Sequence, residues 1–377
     1  MSYSSEDNIS LIKKICASSR FVGSEGSLHT REVIISYLEE IGFKYKLFFS
    51  TVPKWSINEP PIIQFLLPEE ISLNGIPAIF SPPTPLDGIE GKVVENGILT
   101  VLESFDWERY AIVSTNGKIL GYLISTSYGA QMQPLPHEAQ NLPHVILDSN
   151  TLEKLKNWIR SGLEITVRVK NPTSITGNVD VVSIVTEEPS KKPYPFICAH
   201  YDTVFGTVGA HDNGSGVVVA LKLAKEMASS KIPCRFAFFD GEEINKAGSK
   251  EFVVNEKRKG TLENISFVLE IDAVGIGDEI VLLCSPQLNK KLQKLKERVM
   301  SEFLKNHKVS ISRQSKIGFS DVWPFMQEEI PVIRMLTRGS IGKNIMHDNN
   351  DTPDKIDSET ILAAFNVANT ISKLRVE

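Results

Sequence analysis

Cysteine is scarce, with only Cys16, Cys198, Cys234 and Cys284 in 377 residues, each far from the next. That spacing excludes a disulfide framework or a zinc knuckle, both of which need cysteines clustered at short intervals. Most of the four sit inside apolar, strand-like runs, so they read as buried free thiols. Long apolar stretches are missing too: no run of about 18 apolar residues occurs, the length a membrane-crossing helix requires. The first residues, MSYSSEDNIS, are polar and acidic and lack the basic start and apolar stretch of a secretion signal. The expectation is a soluble, cytoplasmic protein with no membrane partner. Positive charge is not in excess either, since 41 Lys and Arg face 46 Asp and Glu for a formal net charge of −5. Basic residues gather only in small clusters such as EKRKG, so nucleic acid is not an expected partner.

What the chain does have is an ordinary globular balance, 41% hydrophobic and 23% charged, at a length that allows two domains or one large domain with an insertion. From Asp7 to Gly42 the apolar spacing predicts two helices, NISLIKKICASS and LHTREVIISYLEEIGFK, joined by the loop SRFVGSEGS. From Val52 to about Ile175 the texture changes to short apolar runs broken by proline, which predicts a small, mostly β module. Beyond it strands and helices alternate. Predicted strands are VDVVSIV, PFICAHYD, CRFAFFD, SFVLEID, EIVLLC and PVIRML. Predicted helices run from Gly216 to about Ala228, over SKEFVVNEKRK, over QLNKKLQKLKERVMSEFLKN, over SDVWPFMQ and from Ser358 to about Leu374. This alternation argues for an α/β fold with a central sheet covered by helices on both faces.

In such sheets ligands gather beyond the carboxyl ends of the strands. His200 and Asp202 follow one predicted strand, Asp212 opens the next loop, Glu242 and Glu243 follow another strand, Asp272 ends a third, and His347 follows PVIRML. Two imidazoles with several carboxylates suit zinc, or less selectively cobalt or manganese. A catalytic zinc needs about three protein ligands, so His200, Asp212, Glu243, Asp272 and His347 are too many for one ion and enough for two that share a carboxylate. Glu242 is then left over beside a ligand, where it can take a proton from the attacking water. Any one of these residues has an ordinary alternative: a core histidine, a solvated glutamate pair or a turn aspartate. Their common position at one sheet edge favours a site. His211 is left beside the ligands or facing substrate, and His29, His137, His144 and His307 read as structural or exposed.

The motifs AHYDT, GAHDNGSG, FFDGEE, LEIDAVG, SDVWPFMQEEIPVI and MHDNNDTPDKID, in this order, resemble metallopeptidase family twenty-eight of the di-zinc exopeptidases. That family includes bacterial leucyl-type aminopeptidases, glutamate carboxypeptidases and the non-catalytic transferrin receptor. The resemblance covers roughly the final two hundred residues and the RFVGSEGS loop with its helix. It implies that one metal is held by His200, Asp272 and one oxygen of Asp212. The second metal is held by Glu243, His347 and the other oxygen of Asp212. It further implies that Asp202 accepts the second N–H of His200 and that Glu242 is the general base. GKILGYLIST and LPHVILDSNTLEKLKNWIRSGLEITVRV are similar to a protease-associated domain.

The fold implied is a mixed, mostly parallel sheet flanked by helices. Residues 1–51 and 176–377 would form the catalytic domain and residues 52–175 the inserted β-rich domain. The expected activity is that of an exopeptidase, foremost an aminopeptidase, acting on a peptide substrate with two zinc ions. A glutamate-releasing carboxypeptidase would need an arginine such as Arg313, Arg334 or Arg338 for the terminal carboxylate. A single-zinc glutaminyl-cyclase-like acyltransferase and a non-catalytic scaffold are the other readings, and a homo-oligomer stays open. Family members carry a tyrosine before the last histidine that can steady the oxyanion, and here that position is Met346.

Overall fold

The structure is a computed structural model that describes residues 5–101, 105–125, 131–288, 308–314, 317, 320–339 and 345–373. Along the chain come α1 (Ser5–Ile15), α2 (Glu25–Glu40) and β1 (Tyr45–Ile57). Next are β2 (Ile62–Leu67), β3 (Ile71–Asn74), β4 (Ile76–Pro77), β5 (Ile89–Val101), β6 (Phe105–Val113), β7 (Ile119–Ser125), β8 (His144–Ile146), α3 (Ser149–Arg160) and β9 (Thr166–Lys170). The chain continues through β10 (Thr173–Thr186), β11 (Tyr194–His200), α4 (Ser215–Ser229), β12 (Arg235–Phe239), α5 (Ala247–Lys259), β13 (Ile265–Ile271), β14 (Glu279–Cys284) and β15 (Lys308–Arg313). A short helix Trp323–Gln327, β16 (Val332–Arg338) and a closing helix Ser358–Ser372 complete it. From residue 289 onward, the helix predicted over QLNKKLQKLKERVMSEFLKN lies outside the described residues, as does His307.

Two compact units result: Met1–Val52 with Asp180–Glu377, and Pro53–Val179. The first unit is a mixed α/β body. Its sheet has the order β1-β10-β12-β11-β13-β16-β14-β15. The neighbours β12, β11, β13 and β16 are mutually parallel, whereas β10 against β12 and β14 against β16 are antiparallel. Every residue of β11 is buried, which is why YPFICAH reads as a near-continuous apolar run instead of an alternation. Phe196 and Cys198 point into one core with Phe252 of α5 and Phe325 of the short helix. Ile197 and Ala199 point into the other, with side chains from α1, α2, α4 and the closing helix. Helices therefore cover both faces. On the first face the rings of Phe196, Phe252 and Phe325 pack at centroid distances of 5.0–6.0 Å. Each such buried ring contributes roughly 1.5–3 kcal/mol, and together they hold β11 against the helices that follow it.

The second unit is an eight-stranded sheet of order β3-β2-β9-β5-β6-β7-β8-β4, packed with α3. Its core holds Ile63, Phe65, Ile112, Leu123, Val145, Leu155 and Val167. Buried polar groups there are bound locally: Ser81 Oγ accepts from Asn171 Nδ2 at 2.8 Å, and Ser81 O accepts from Thr173 Oγ1 at 2.8 Å and Trp55 Nε1 at 3.2 Å. His144 is buried, bonds Leu142 O through Nδ1 at 2.8 Å and stacks on Tyr122, whereas His29 and His137 are exposed.

Candidate metal centre

Because β11, β12, β13 and β16 are parallel, their carboxyl ends share one edge, and the candidate residues meet there. His200 is the last residue of β11, Asp272 follows β13, Glu242 and Glu243 follow β12 by three and four residues, and His347 lies in the loop after β16. Asp212 comes from the turn between β11 and α4. His200 Nε2 lies 3.3 Å from Asp212 Oδ1 and 3.4 Å from Asp272 Oδ1. His347 Nε2 lies 3.3 Å from Asp212 Oδ2 and 3.1 Å from Glu243 Oε2. Asp212 thus turns one oxygen to each histidine. In each of the two trios, His200–Asp212–Asp272 and Asp212–Glu243–His347, the donor atoms fall within 4.8 Å of one another.

These distances test whether metal ions fit. Two atoms bound at about 2.0–2.1 Å to one tetrahedral zinc lie about 3.3 Å apart, which matches the imidazole–carboxylate separations in both trios. Asp272 Oδ1 is buried with no hydrogen-bond partner, a costly state for a carboxylate oxygen unless a cation meets it. The residues fit two ions. Burial works against charge on both imidazoles, yet the carboxylates of Asp202, Asp212 and Asp272 around His200, and of Glu243 and Asp212 around His347, outweigh it and hold both well above the usual histidine range. Asp212, also buried, is pulled well below the usual carboxylate range by the same two histidines.

Local chemistry explains how the turn at Asp212 holds. Asp351 Oδ1 accepts from His211 N–H at 2.6 Å, its Oδ2 accepts from Asp212 N–H at 3.0 Å, and its carbonyl accepts from Ala210 N–H at 3.2 Å. Asn213 donates to Ile271 O at 2.9 Å and accepts from Gly216 N–H at 2.9 Å and Ala273 N–H at 3.1 Å, which ties the turn to the end of β13. A side chain at Gly216 would run into Asn213 Oδ1 and Ile271 O, so the glycines of DNGSG are required by close approach. His211 belongs to neither trio, and its Nδ1 accepts from Gly275 N–H at 3.2 Å.

Asp202 lies against His200 Nδ1 and also beneath the two glutamates. Its Oδ1 is 3.6 Å from His200 Nδ1, beyond hydrogen-bond range, and His200 Nδ1 makes no hydrogen bond. Its two oxygens also accept from Glu242 N–H at 3.0 Å and Glu243 N–H at 3.1 Å. One carboxylate thereby sets the turn that carries both glutamates. Glu243 is 7% exposed, whereas Glu242 keeps more of its surface open. Burial, reinforced by Glu243, holds the Glu242 carboxyl well above its ordinary range despite the opposing effect of His200.

Several residues that shape the site were not singled out in the sequence. Arg20, fully buried, donates to Tyr201 O at 2.6 Å, to Gly209 O at 2.9 Å and to Val208 O, bracing the loop between His200 and Asp212. Asp351 stood in the sequence only as part of a polar loop. Lys246, 2% exposed, lies in the field of Glu242, Asp321 and Glu270. The only signals for these were a charged residue in the RFVGSEGS loop and the repeated aspartates after His347.

Comparison with known proteins places the chain in a family and a fold. The sequence profile of peptidase family M28 matches residues 180–371. Aminopeptidase YwaD of Bacillus subtilis is 33% identical over 115 residues, 30% of this chain and 25% of that protein. The vacuolar membrane protease of Candida glabrata is 24% identical over 221 residues, 50% of this chain and 23% of that protein. The matched part thus spans about a quarter of the length of these curated relatives. The solved structure of a zinc aminopeptidase from Bacillus subtilis shares the fold at a TM-score of 0.72 and 17% identity, over 98% of this chain and 94% of that one.

Proposed function

The chain belongs to peptidase family M28, and from that premise we propose that it is a two-zinc exopeptidase that removes residues from the N-terminus of peptides. The observation that carries this reading is Asp212, whose two oxygens face two separate histidine and carboxylate sets. His200 and Asp272 would hold one ion, Glu243 and His347 the other, and Asp212 both; cobalt or manganese would satisfy the same donors. When bound, two divalent ions would polarise the scissile carbonyl and lower the pKa of the attacking water. Glu242 accepts that water's proton and returns it to the leaving amine. Its carboxyl, raised by burial, is suited to holding a proton between those two transfers. Asp202 keeps Glu242 and Glu243 in register through their backbone N–H groups.

The carboxypeptidase reading has less support. Arg334 is engaged by Asp272 and Glu270, and Arg338 pairs with Glu279 at 3.3 Å. The four cysteines are free and buried, in keeping with a cytoplasmic location.

The test is reconstitution of the chelated protein with zinc, cobalt or manganese and assay on aminoacyl and carboxyl-terminal reporter peptides. Release from the aminoacyl set is expected, and cleavage confined to the carboxyl-terminal set would overturn the aminopeptidase assignment. Glu242→Gln should keep two metal equivalents while losing roughly 10²–10⁴-fold in rate, the range for a lost general base. Unaltered turnover would remove Glu242 from that role.

A further inference from the structure

The two ligand trios around Asp212 differ in one respect: a guanidinium stands against one of them. β13 and β16 pair in parallel with Glu270 opposite Arg334 and Ile271 opposite Met335. Side chains alternate between sheet faces, so Arg334 emerges on the face that carries Glu270 and, two residues on, Asp272. Arg334 Nε and Nη2 both donate to Asp272 Oδ2, Nε at 3.2 Å, and Nε lies 3.5 Å from Glu270 Oε2. Glu270 is fixed from the other side by Ser320 Oγ, which donates to Oε2, and by Asp321 N–H, which donates to Oε1 at 2.7 Å. The cation therefore has a rigid seat, and its side chain is only 19% exposed, where solvent screens charge weakly. Asp272 divides its oxygens, Oδ2 to Arg334 and the unpartnered Oδ1 toward His200. Glu243, in the other trio, has no arginine or lysine in ion-pair contact among the described residues.

We propose that Arg334 is an internal counter-cation that competes with a divalent ion for Asp272, making the His200–Asp212–Asp272 position the weaker of the two metal positions. The inference rests on the two-metal reading above. A fixed positive charge on a shared carboxylate repels an incoming ion and draws electron density from the oxygen that must bind it. The Asp212–Glu243–His347 position fills first, and the second fills only as free metal rises. Arg334 acts here as a positioning residue through Asp272. Without an ion it also offsets the repulsion between Asp272 and Glu270, so it stabilises the metal-free fold while weakening the metal-loaded one.

The experiment is calorimetric titration of chelated full-length protein with zinc, for the wild type, Arg334→Met, Arg334→Lys, His200→Ala and His347→Ala. The wild type should show two steps at least about tenfold apart in affinity. Arg334→Met should tighten the weaker step by about tenfold or more and lower the melting temperature of the metal-free protein. Arg334→Lys, which keeps the charge, should retain the separation. His200→Ala should abolish the weak step and His347→Ala the tight one, an assignment that holds even if Arg334→Met does not fold. Coincident steps in the wild type, an unchanged separation in folded Arg334→Met, or loss of the tight step in His200→Ala would overturn the proposal. One ion in the wild type and two in Arg334→Met would support it. One ion in both would sink the two-metal reading itself.

Discussion

The two units bury different kinds of polar group. Among the described residues of Pro53–Val179 the buried polar side chains are Ser81, Gln133, His144, Asn171 and Thr173, with no buried acid. The other unit buries Asp202, Asp212, Asp240, Glu243, Glu256, Glu270, Asp272, Asp321 and Asp351, of which Glu256 is paired with the buried Arg235 at 2.6 Å. A serine or an amide N–H can be satisfied by neighbouring hydroxyls and carbonyls, as Ser81 Oγ and Asn171 Nδ2 are. Clustered carboxylates cannot satisfy each other. Their repulsion must be relieved by buried cations such as Arg334 and Lys246, by protons, or by ions from outside. A cluster of buried acids in excess of bases is thus the feature of the first unit that suits cations, and the described residues of the second unit carry no such cluster.

The sharpest way to break that contrast is to remove metal. Ions that bind only the folded state stabilise it by about 4 kcal/mol at a thousand times their dissociation constant. Chelation should therefore lower hydrogen-exchange protection in β11 and β13 by that order while leaving β6 and β7 unchanged. Asp212→Ala, which removes the carboxylate facing both histidines, should abolish the metal-dependent gain, and His347→Ala should keep part of it. Equal loss of protection in both units would show that the second unit depends on the metal too.

Three of the five candidate donors, His200, Glu243 and Asp272, sit at or within a few residues of the end of an apolar run, and a strand end is a local signal. His200 after PFICA and Asp272 after SFVLEI need no knowledge of their neighbours. The strand and helix order of the α/β body was visible for the same reason: β11 and β13 are buried on nearly every residue, and their apolar runs record it. What could not be read was pairing across distance. Arg20 reaches backbone carbonyls more than 180 positions away, and loop closure over such a span leaves no periodicity in the chain. Arg334 faces Glu270 and Asp272 only because of one strand register, and a slip of one residue would turn it to the opposite face. Asp202 shows the same limit in miniature, since nothing in its motif signals that its oxygens also hold the amides of Glu242 and Glu243.

Acid offers a second, smaller test, aimed at the unit without buried carboxylates. Burial lowers the pKa of His144 from 6.5 to about 4. The unfolded chain takes up a proton near pH 6.5 and the folded unit only near 4, so the unfolded state binds more protons between those values. Stability tied to this group is fully present above pH 6.5 and is lost as pH falls toward 4. At 1.36 kcal/mol per pH unit the gap is worth about 3 kcal/mol. Urea unfolding followed at Pro53–Val179 should show this loss in the wild type and a flatter profile in His144→Gln. Parallel profiles would mean that His144 is charged in the folded unit.

The smallest expected effect isolates the second unit without touching charge at the metal centre. Helix α3 begins after Asp148, whose Oδ1 accepts from Asn150 N–H at 2.9 Å and Thr151 N–H at 3.0 Å, while its Oδ2 accepts from Thr151 Oγ1. These bonds satisfy amides that a first helical turn leaves unpaired, and the carboxylate also lies at the positive end of the helix dipole. Losing such a cap costs about 1 kcal/mol. The helix carries Leu155 into the core of the β sheet, so Asp148→Ala should lower stability of that unit by this amount. Zinc stoichiometry and hydrolysis of a single-residue reporter should stay unchanged, because every proposed metal donor belongs to the other unit. A drop in zinc affinity in this variant would show that a change of about 1 kcal/mol in one unit is felt at the metal centre of the other.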